Sequence, residues 1–253
     1  MRSPSEISHA LLLRSVDYGD ADRVVTLLTQ RFGKSAFIAR AARRSKKRFG
    51  SALQPLALLS VQIGRGRGSL DVLQRAEVAR PFPRLLSDLG RMQAGFSALE
   101  LLRELSPEHE PDPAVFTTAV AVLSALDAAQ GDEPERLLLC FEARLLALCG
   151  LAPRLDRCGL CSKQADPARS ALFDPRLGHL VCRACGGASH RLSAASRLAL
   201  MRAAGPDFIA VAQAEWPRSE LGPAQAALRD FVEQRIGRPL RTASMLSPRL
   251  EER

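Results

Sequence analysis

The sequence predicts an α+β protein of several domains: a five-stranded barrel over residues 1–81, an α-helical domain over 82–253, and a cysteine-rich module over 151–189 inserted between helices. Three observations carry this expectation. Short runs rich in Leu, Val and Thr, separated by turn residues, fill the first part of the chain. Helical periodicity replaces them after Pro81-Phe-Pro83. Within the helical part, Cys158-Gly-Leu-Cys161 is followed, after 20 intervening residues, by Cys182-Arg-Ala-Cys185. A chain of 253 residues is long enough to give two or three such domains cores of their own.

The strands are expected at 10–16 and 23–29, at 35–41 after the turn Arg31-Phe-Gly33, at 55–63, and at 70–78 after the hairpin turn Gly64-Arg-Gly-Arg-Gly68. Five strands over about seventy residues suit a small, partly open barrel of the oligonucleotide-binding type. An SH3-like barrel competes, and strand count does not separate the two. Leu85, Leu86, Leu89, Met92, Phe96, Leu99 and Leu102 recur at three- and four-residue intervals, which places them on one face of a helix ending near Ser106-Pro107. A loop with three prolines follows over 106–113. The pattern repeats over 115–129 and 135–148, the latter stopped by Gly150. Helices resume over 193–204 and 223–236, opened by Ser193 and Pro223.

Two residues between cysteines allow one tight turn to aim both sulfurs at one ion, and two such turns supply the four thiolates of a closed tetrahedral Zn²⁺ site. A closed site has no position for substrate, so the zinc expected on Cys158, Cys161, Cys182 and Cys185 is structural. Disulfides are the alternative. The first ten residues lack the apolar core of a signal peptide, which points to a reduced, cytoplasmic chain. A redox pair would need a thioredoxin-like strand and helix, whereas both pairs lie in stretches rich in Gly and Arg. Cys140 and Cys149 fall in an apolar helical stretch as small hydrophobes, and His179 and His190 flank a site already saturated by sulfur.

The formal net charge is +9, but its placement matters more than its size. Residues 23–70 hold no Asp or Glu and eleven Lys or Arg, which leaves −2 for everything else. Basicity confined to one region points to a polyanion there, most simply nucleic acid. Lys and Arg runs are often only solvated surface, but ordinary surfaces intersperse both signs. Phe32, Phe37, Phe49 and Tyr18 lie in or near this stretch and offer stacking faces, although most Phe residues of a small barrel belong to its core.

Enzyme signatures fare worse. No G-x-x-x-x-G-K-[ST] loop is present, His109-Glu110 runs into Pro111-Asp-Pro113 rather than a second histidine, and no histidine begins the H-x-E of a zinc deaminase. Asp17, Asp20 and Asp22 could hold Mg²⁺, but a solvated turn accounts for them more simply. No run approaches the length of an apolar membrane span.

Several stretches resemble one family. The run from Leu12 to Leu28, Phe32-Gly-Lys34, the basic segment 41–49, the approach to the first cysteine pair over 145–161, and Gly237-Arg-Pro-Leu-Arg241 together are similar to the bacterial RecO recombination mediators over about residues 8–242. The resemblance implies an oligonucleotide-binding (OB) barrel, a helical domain and a zinc module. It implies a DNA repair and recombination protein that is not an enzyme, binds single- and double-stranded DNA, anneals complementary strands coated by single-stranded DNA-binding protein, and acts with RecR to load RecA. It implies nucleoid association, and a contact with the C-terminal peptide of single-stranded DNA-binding protein in the helical domain. Carried onto this chain, DNA contacts fall on Lys34, Arg40, Arg43, Arg44, Lys46, Lys47 and Arg48, and zinc on the four cysteines. A zinc-containing protein-interaction scaffold and a transcription-type duplex-binding module without annealing activity are the alternatives.

Overall fold

A computed structural model describes residues 5–45, 47–50, 52–66, 68–214 and 216–242. Five strands, β1 (Glu6–Tyr18), β2 (Asp22–Thr29), β3 (Gly33–Ala39), β4 (Ala57–Gly64) and β5 (Asp71–Pro81), close into a barrel of order β1-β2-β3-β5-β4. All five expected strands are present, and this order is that of the OB fold. The long β1 pairs antiparallel with β4 over Glu6 to Leu11 and with β2 over Ala10 to Tyr18, and a register shift within the β2 ladder between Leu12 and Arg14 bends it. Parallel pairing of β3 with β5 closes the ring over Phe37↔Asp71 and Ile38↔Val72.

Alternation decides what lies inside. Leu59, Val61 and Ile63 of β4, Val25 and Leu27 of β2, and Phe37 and Ala39 of β3 point inward at every second position. Phe49, Ala52 and Leu53, from the β3–β4 connection, complete this core.

Helices follow: α1 (Leu89–Leu105), α2 (Pro113–Ala128), α3 (Glu133–Leu148), α4 (Ala194–Ala203), α5 (Phe208–Gln213) and α6 (Arg218–Ile236). The first starts later than its periodicity suggests. Asp88 Oδ1 accepts from Arg91 N–H at 2.9 Å and caps the helix. Leu85 is fully buried ahead of it, its N–H held by Asp127 Oδ1 at 2.9 Å. At the other end of the chain, α6 begins before Pro223, which lies inside it.

By compactness the chain divides into two units, Met1–Asp127 and Ala128–Arg253, so that α1 and most of α2 group with the barrel. In the second unit, residues between α3 and α4 form a small sheet of order β6-β8-β7-β9, from β6 (Arg154–Cys158), β7 (Ala171–Asp174), β8 (His179–Leu180) and β9 (His190–Leu192). The pairing of β9 with β7 carries the inserted module to residue 192. No helix among the described residues is long and apolar enough to cross a membrane.

Candidate metal centre and nucleic-acid interface

The small sheet sets the positions of the cysteines. Parallel β6 and β8 place Cys158 opposite Leu180, two residues before Cys182. The first knuckle closes with Ser162 N–H on the Cys158 carbonyl at 3.0 Å, and Ser162 takes the left-handed conformation at φ 60°. In the second, a 3-10 turn over Arg183–Cys185 ends at Gly186, whose φ of 105° only glycine adopts readily. All four Sγ atoms lie within 4.8 Å of one another, and Cys161 Sγ is 3.7 Å from Cys182 Sγ. Four sulfurs at about 2.3 Å from one tetrahedral ion sit about 3.8 Å apart. The cluster therefore fits a single ion held by four thiolates.

Its electrostatics agree. Cys182 N–H donates to Cys158 Sγ at 3.4 Å, and this and the other backbone donors of the knuckles pull the Cys158 thiol down to about 6. The Cys185 thiol is pushed up to about 12, chiefly because its proton is shared with the sulfurs of Cys182 and Cys161. The Cys158 thiolate forms readily, and its charge opposes ionisation of Cys185. Four together require a cation.

Both histidines are committed elsewhere. His190 Nε2 pairs with Asp230 Oδ2 at 2.9 Å, and His179 Nδ1–H donates to the Leu180 carbonyl at 3.0 Å. Cys140 is fully buried in α3, and burial raises its thiol to about 12. Arg197 of α4, 2% exposed, donates to the carbonyls of Leu155, Asp166 and Arg169 at 3.0, 2.6 and 2.9 Å. It thereby fastens the loops of the metal module to a helix, and desolvation lowers its pKa.

On the barrel, the described residues of the basic segment lie in a turn-rich loop between β3 and β4. Asp22 Oδ1 accepts from Ala41 N–H at 2.7 Å, Arg43 N–H donates to the Ala21 carbonyl at 3.0 Å, and the Arg48 carbonyl accepts from Ala76 N–H at 3.0 Å. Arg48 is set in place by donating to Ser45 Oγ at 3.1 Å and to the Arg40 carbonyl at 2.8 Å, with its guanidinium over the Phe49 ring.

The acid-free stretch is partly neutralised by carboxylates from outside it. Asp17 lies 3.0 Å from Arg23 and 3.7 Å from Arg43, Asp22 lies 3.9 Å from Arg40, and Glu6 lies 2.8 Å from Arg31. Asp17 and Asp22 thus serve the loop through their carboxylates and Asp20 through its carbonyl, which accepts from Arg43 at 3.4 Å, and among the described residues the cysteines form the one group suited to a metal. Arg44, Lys47 and Arg48 are exposed and pair with no carboxylate among the described residues; Lys46 lies outside them.

Lys34 departs from its expected place. It is 8% exposed, and its Nζ donates to the Arg103 carbonyl at 2.6 Å, in the last turn of α1 where carbonyls lack helical partners. Its own carbonyl accepts from His109 N–H at 2.9 Å. Gly33 beside it has φ 64°, and a Cβ there would meet the Glu110 carbonyl oxygen at 2.3 Å. Phe32-Gly-Lys34 is thus a motif that docks the 106–112 loop, and its burial removes Lys34 from the surface where a phosphate could reach it.

Phe37 and Phe49 are 2% exposed and belong to the core, whereas Tyr18, at 59%, is open to solvent. Arg65, counted in the charge but not among the expected contacts, is exposed on the β4–β5 loop, one of the loops through which OB folds bind strands.

Barrel, helices and thiol cluster together define an OB-fold protein with a cysteine metal module. Two family models match: Recombination protein O N terminal over residues 1–82 and Recombination protein O C terminal over 86–243. The chain is 40% identical over 236 residues to the DNA repair protein RecO of Anaeromyxobacter sp. strain K, covering 91% of each chain. It is 37% identical over 243 residues to that of Myxococcus xanthus (94% of this chain, 95% of the relative), and 35% over 240 to that of Geobacter sulfurreducens, at the same coverage. The chain belongs to the recombination protein O family.

Proposed function

We propose that this protein acts in DNA repair by binding the phosphate backbone of single- and double-stranded DNA through its barrel and annealing complementary strands, including strands coated by single-stranded DNA-binding protein. One observation carries the reading. The acid-free, basic stretch of the sequence builds β2 to β4 of an OB barrel and the loop between β3 and β4, with Arg44, Lys47 and Arg48 exposed and unopposed by described carboxylates. Arg40 and Arg43 add to this surface, their carboxylate partners being exchangeable for phosphate.

Complementary strands repel as polyanions, and a cationic loop lowers that repulsion without consuming ATP. The bases must stay free to pair. Contacts are therefore mainly to the backbone, with little sequence preference, and Tyr18 is the one exposed aromatic of those considered. The protein binds and positions strands; it does not turn over a substrate. RecR and the C-terminal peptide of single-stranded DNA-binding protein are its proposed partners, and RecA loading the step it serves.

The metal is Zn²⁺ in a structural role, supported by four soft thiolates with tetrahedral spacing and no open position. Cys158, Cys161, Cys182 and Cys185 would hold it, and its chemistry is to offset their charge and cross-link the knuckles.

The test is annealing of two complementary fluorescent oligonucleotides, each precoated with single-stranded DNA-binding protein, without ATP. Acceleration that fades with salt is expected. No acceleration by folded, metal-loaded protein would refute the annealing reading.

A further inference from the structure

Positive charge is not confined to the barrel. Residues 151–192 hold seven Lys or Arg against three Asp, a net +4 within the part of the chain outside 23–70, which sums to −2. Four of these cations, Lys163, Arg169, Arg183 and Arg191, line one cleft of about 600 Å³ beside the metal centre. All four are exposed.

Of the three carboxylates of the module, Asp156 and Asp174 do not line the cleft and Asp166 does, so one acid stands there against four cations. Asp156 pairs with Arg157 at 2.7 Å, and Asp174 with Arg176 at 3.6 Å while also accepting from the Arg176 N–H at 2.9 Å. Asp166 Oδ1 accepts from Ala168 N–H at 2.9 Å, and its charge faces the buried Arg197. Of the cleft cations only Arg191 has a side-chain partner among the described residues, the neutral Ser170 hydroxyl at 3.0 Å. Four thiolates around a divalent ion carry −2, half of the module's surplus, so the cleft stays cationic when the metal is bound. Its floor includes Leu172 and Val181. Charged walls over an apolar floor match a nucleotide chain, whose backbone is anionic and whose sugar and base faces are not.

We propose that this cleft is a second phosphodiester-binding site, which takes a nucleic-acid strand on the second compact unit independently of the barrel loop. The proposal rests on the DNA-binding reading above and adds what annealing needs, a separate hold on a second strand. Lys163 and Arg169 reach the backbone from the connection between β6 and β7, Arg183 from the second knuckle and Arg191 from β9.

The experiment uses the full, zinc-loaded chain. Salt dependence of affinity for a fluorescent poly-dT oligonucleotide and the annealing rate are measured for Lys163→Ala/Arg169→Ala/Arg183→Ala/Arg191→Ala, for Arg169→Lys/Arg183→Lys/Arg191→Lys, and for the barrel variant Arg44→Ala/Lys47→Ala/Arg48→Ala. Metal content and melting show that each is folded. Lys163→Glu/Arg169→Glu, which leaves the strands and knuckles untouched, replaces the quadruple variant if that one loses metal. Loss of the cleft's four contacts removes a strand-binding step, so the log-log salt slope summed over the strands bound falls by about 3; annealing falls with it, and the Arg→Lys variant restores both. An unchanged slope in the folded cleft variant, with a reduced slope in the barrel variant, overturns the second site and leaves the DNA reading standing. Unchanged slopes in both overturn the two together. Binding of a poly-glutamate peptide that is lost in the cleft variant, with the DNA slope unmoved, also overturns the proposal and assigns the cleft to an acidic protein segment.

Discussion

Lys34 and Lys47 lie in the same basic stretch, but one ammonium is bonded to the Arg103 carbonyl in the barrel unit and the other is exposed on the β3–β4 loop. Lys34→Ala leaves a buried carbonyl without its donor, at about 1–3 kcal/mol, and lowers the melting temperature while the salt slope of DNA binding stays where it was. Arg44→Ala/Lys47→Ala does the opposite, with stability within about 0.5 kcal/mol of the unaltered chain and a slope reduced by about 1.4. A slope that falls for Lys34→Ala would return that residue to the interface. Sequence alone does not separate these lysines, because what meets Lys34 is the last turn of α1, 69 residues further on, and the loop after it. Glu142 gives a second test in another currency of charge. It is buried in α3 with Oε1 unpartnered, and desolvation raises its carboxyl from 4.5 to about 8, with Arg229 opposing and Glu233 adding to the shift. Between those pH values the native state keeps a proton that the unfolded chain has released, so this group's contribution falls as pH rises and is fully lost above about 8. Glu142→Gln removes the dependence, so melting curves of the two proteins should converge at the acid end and separate, by on the order of a few kcal/mol, toward pH 8. Parallel curves between pH 5 and 8 would show that Glu142 is charged in the native protein.

The elements of the metal module are too short to stand alone. Strands of five, four, two and three residues, with a register shift between Arg154 and Cys158, form a sheet with few ladder bonds of its own. Their shortness also hid them from a reading by alternation, which needs a longer run, and the same holds for the six-residue α5. The cysteine spacing was legible because it is a local chemical requirement of the ion. Zinc in such modules contributes on the order of 10–16 kcal/mol of apparent binding free energy at neutral pH. Chelation, or Cys158→Ala, is therefore expected to abolish hydrogen-exchange protection across β6 to β9 while β1 to β5 retain theirs. DNA affinity should follow only as far as the module itself contributes to it. Protection that survives complete metal loss would mean that Arg197 and the His190–Asp230 pair hold the sheet without the ion.

At the scale of the whole molecule, the net charge of +9 is made of +11 over residues 23–70, +4 over 151–192 and −6 over the remainder. The first of these was visible as a stretch without acids. Its partial neutralisation was not, because Asp17 and Asp22 precede the stretch in the chain and meet Arg43 and Arg40 only when the β1–β2 turn folds beside the β3–β4 loop. The closed barrel was readable to the level of five strands, while its type needed either the resemblance or the observed strand order. A protein so divided should hold DNA by counterion release more than by shape, and this has a measurable scale. At one site, four phosphate contacts to a single strand give a slope near −3 in log affinity against log salt, so raising salt from 50 to 200 mM should weaken that binding step about 50-fold. Annealing limited by strand capture should slow in step, be indifferent to ATP, and change little between oligonucleotides of different sequence. A flat salt response, or a preference of 100-fold or more for one duplex sequence, would instead describe a reader of base edges, and the exposed arginines of the loop would then need contacts in a groove rather than along the backbone.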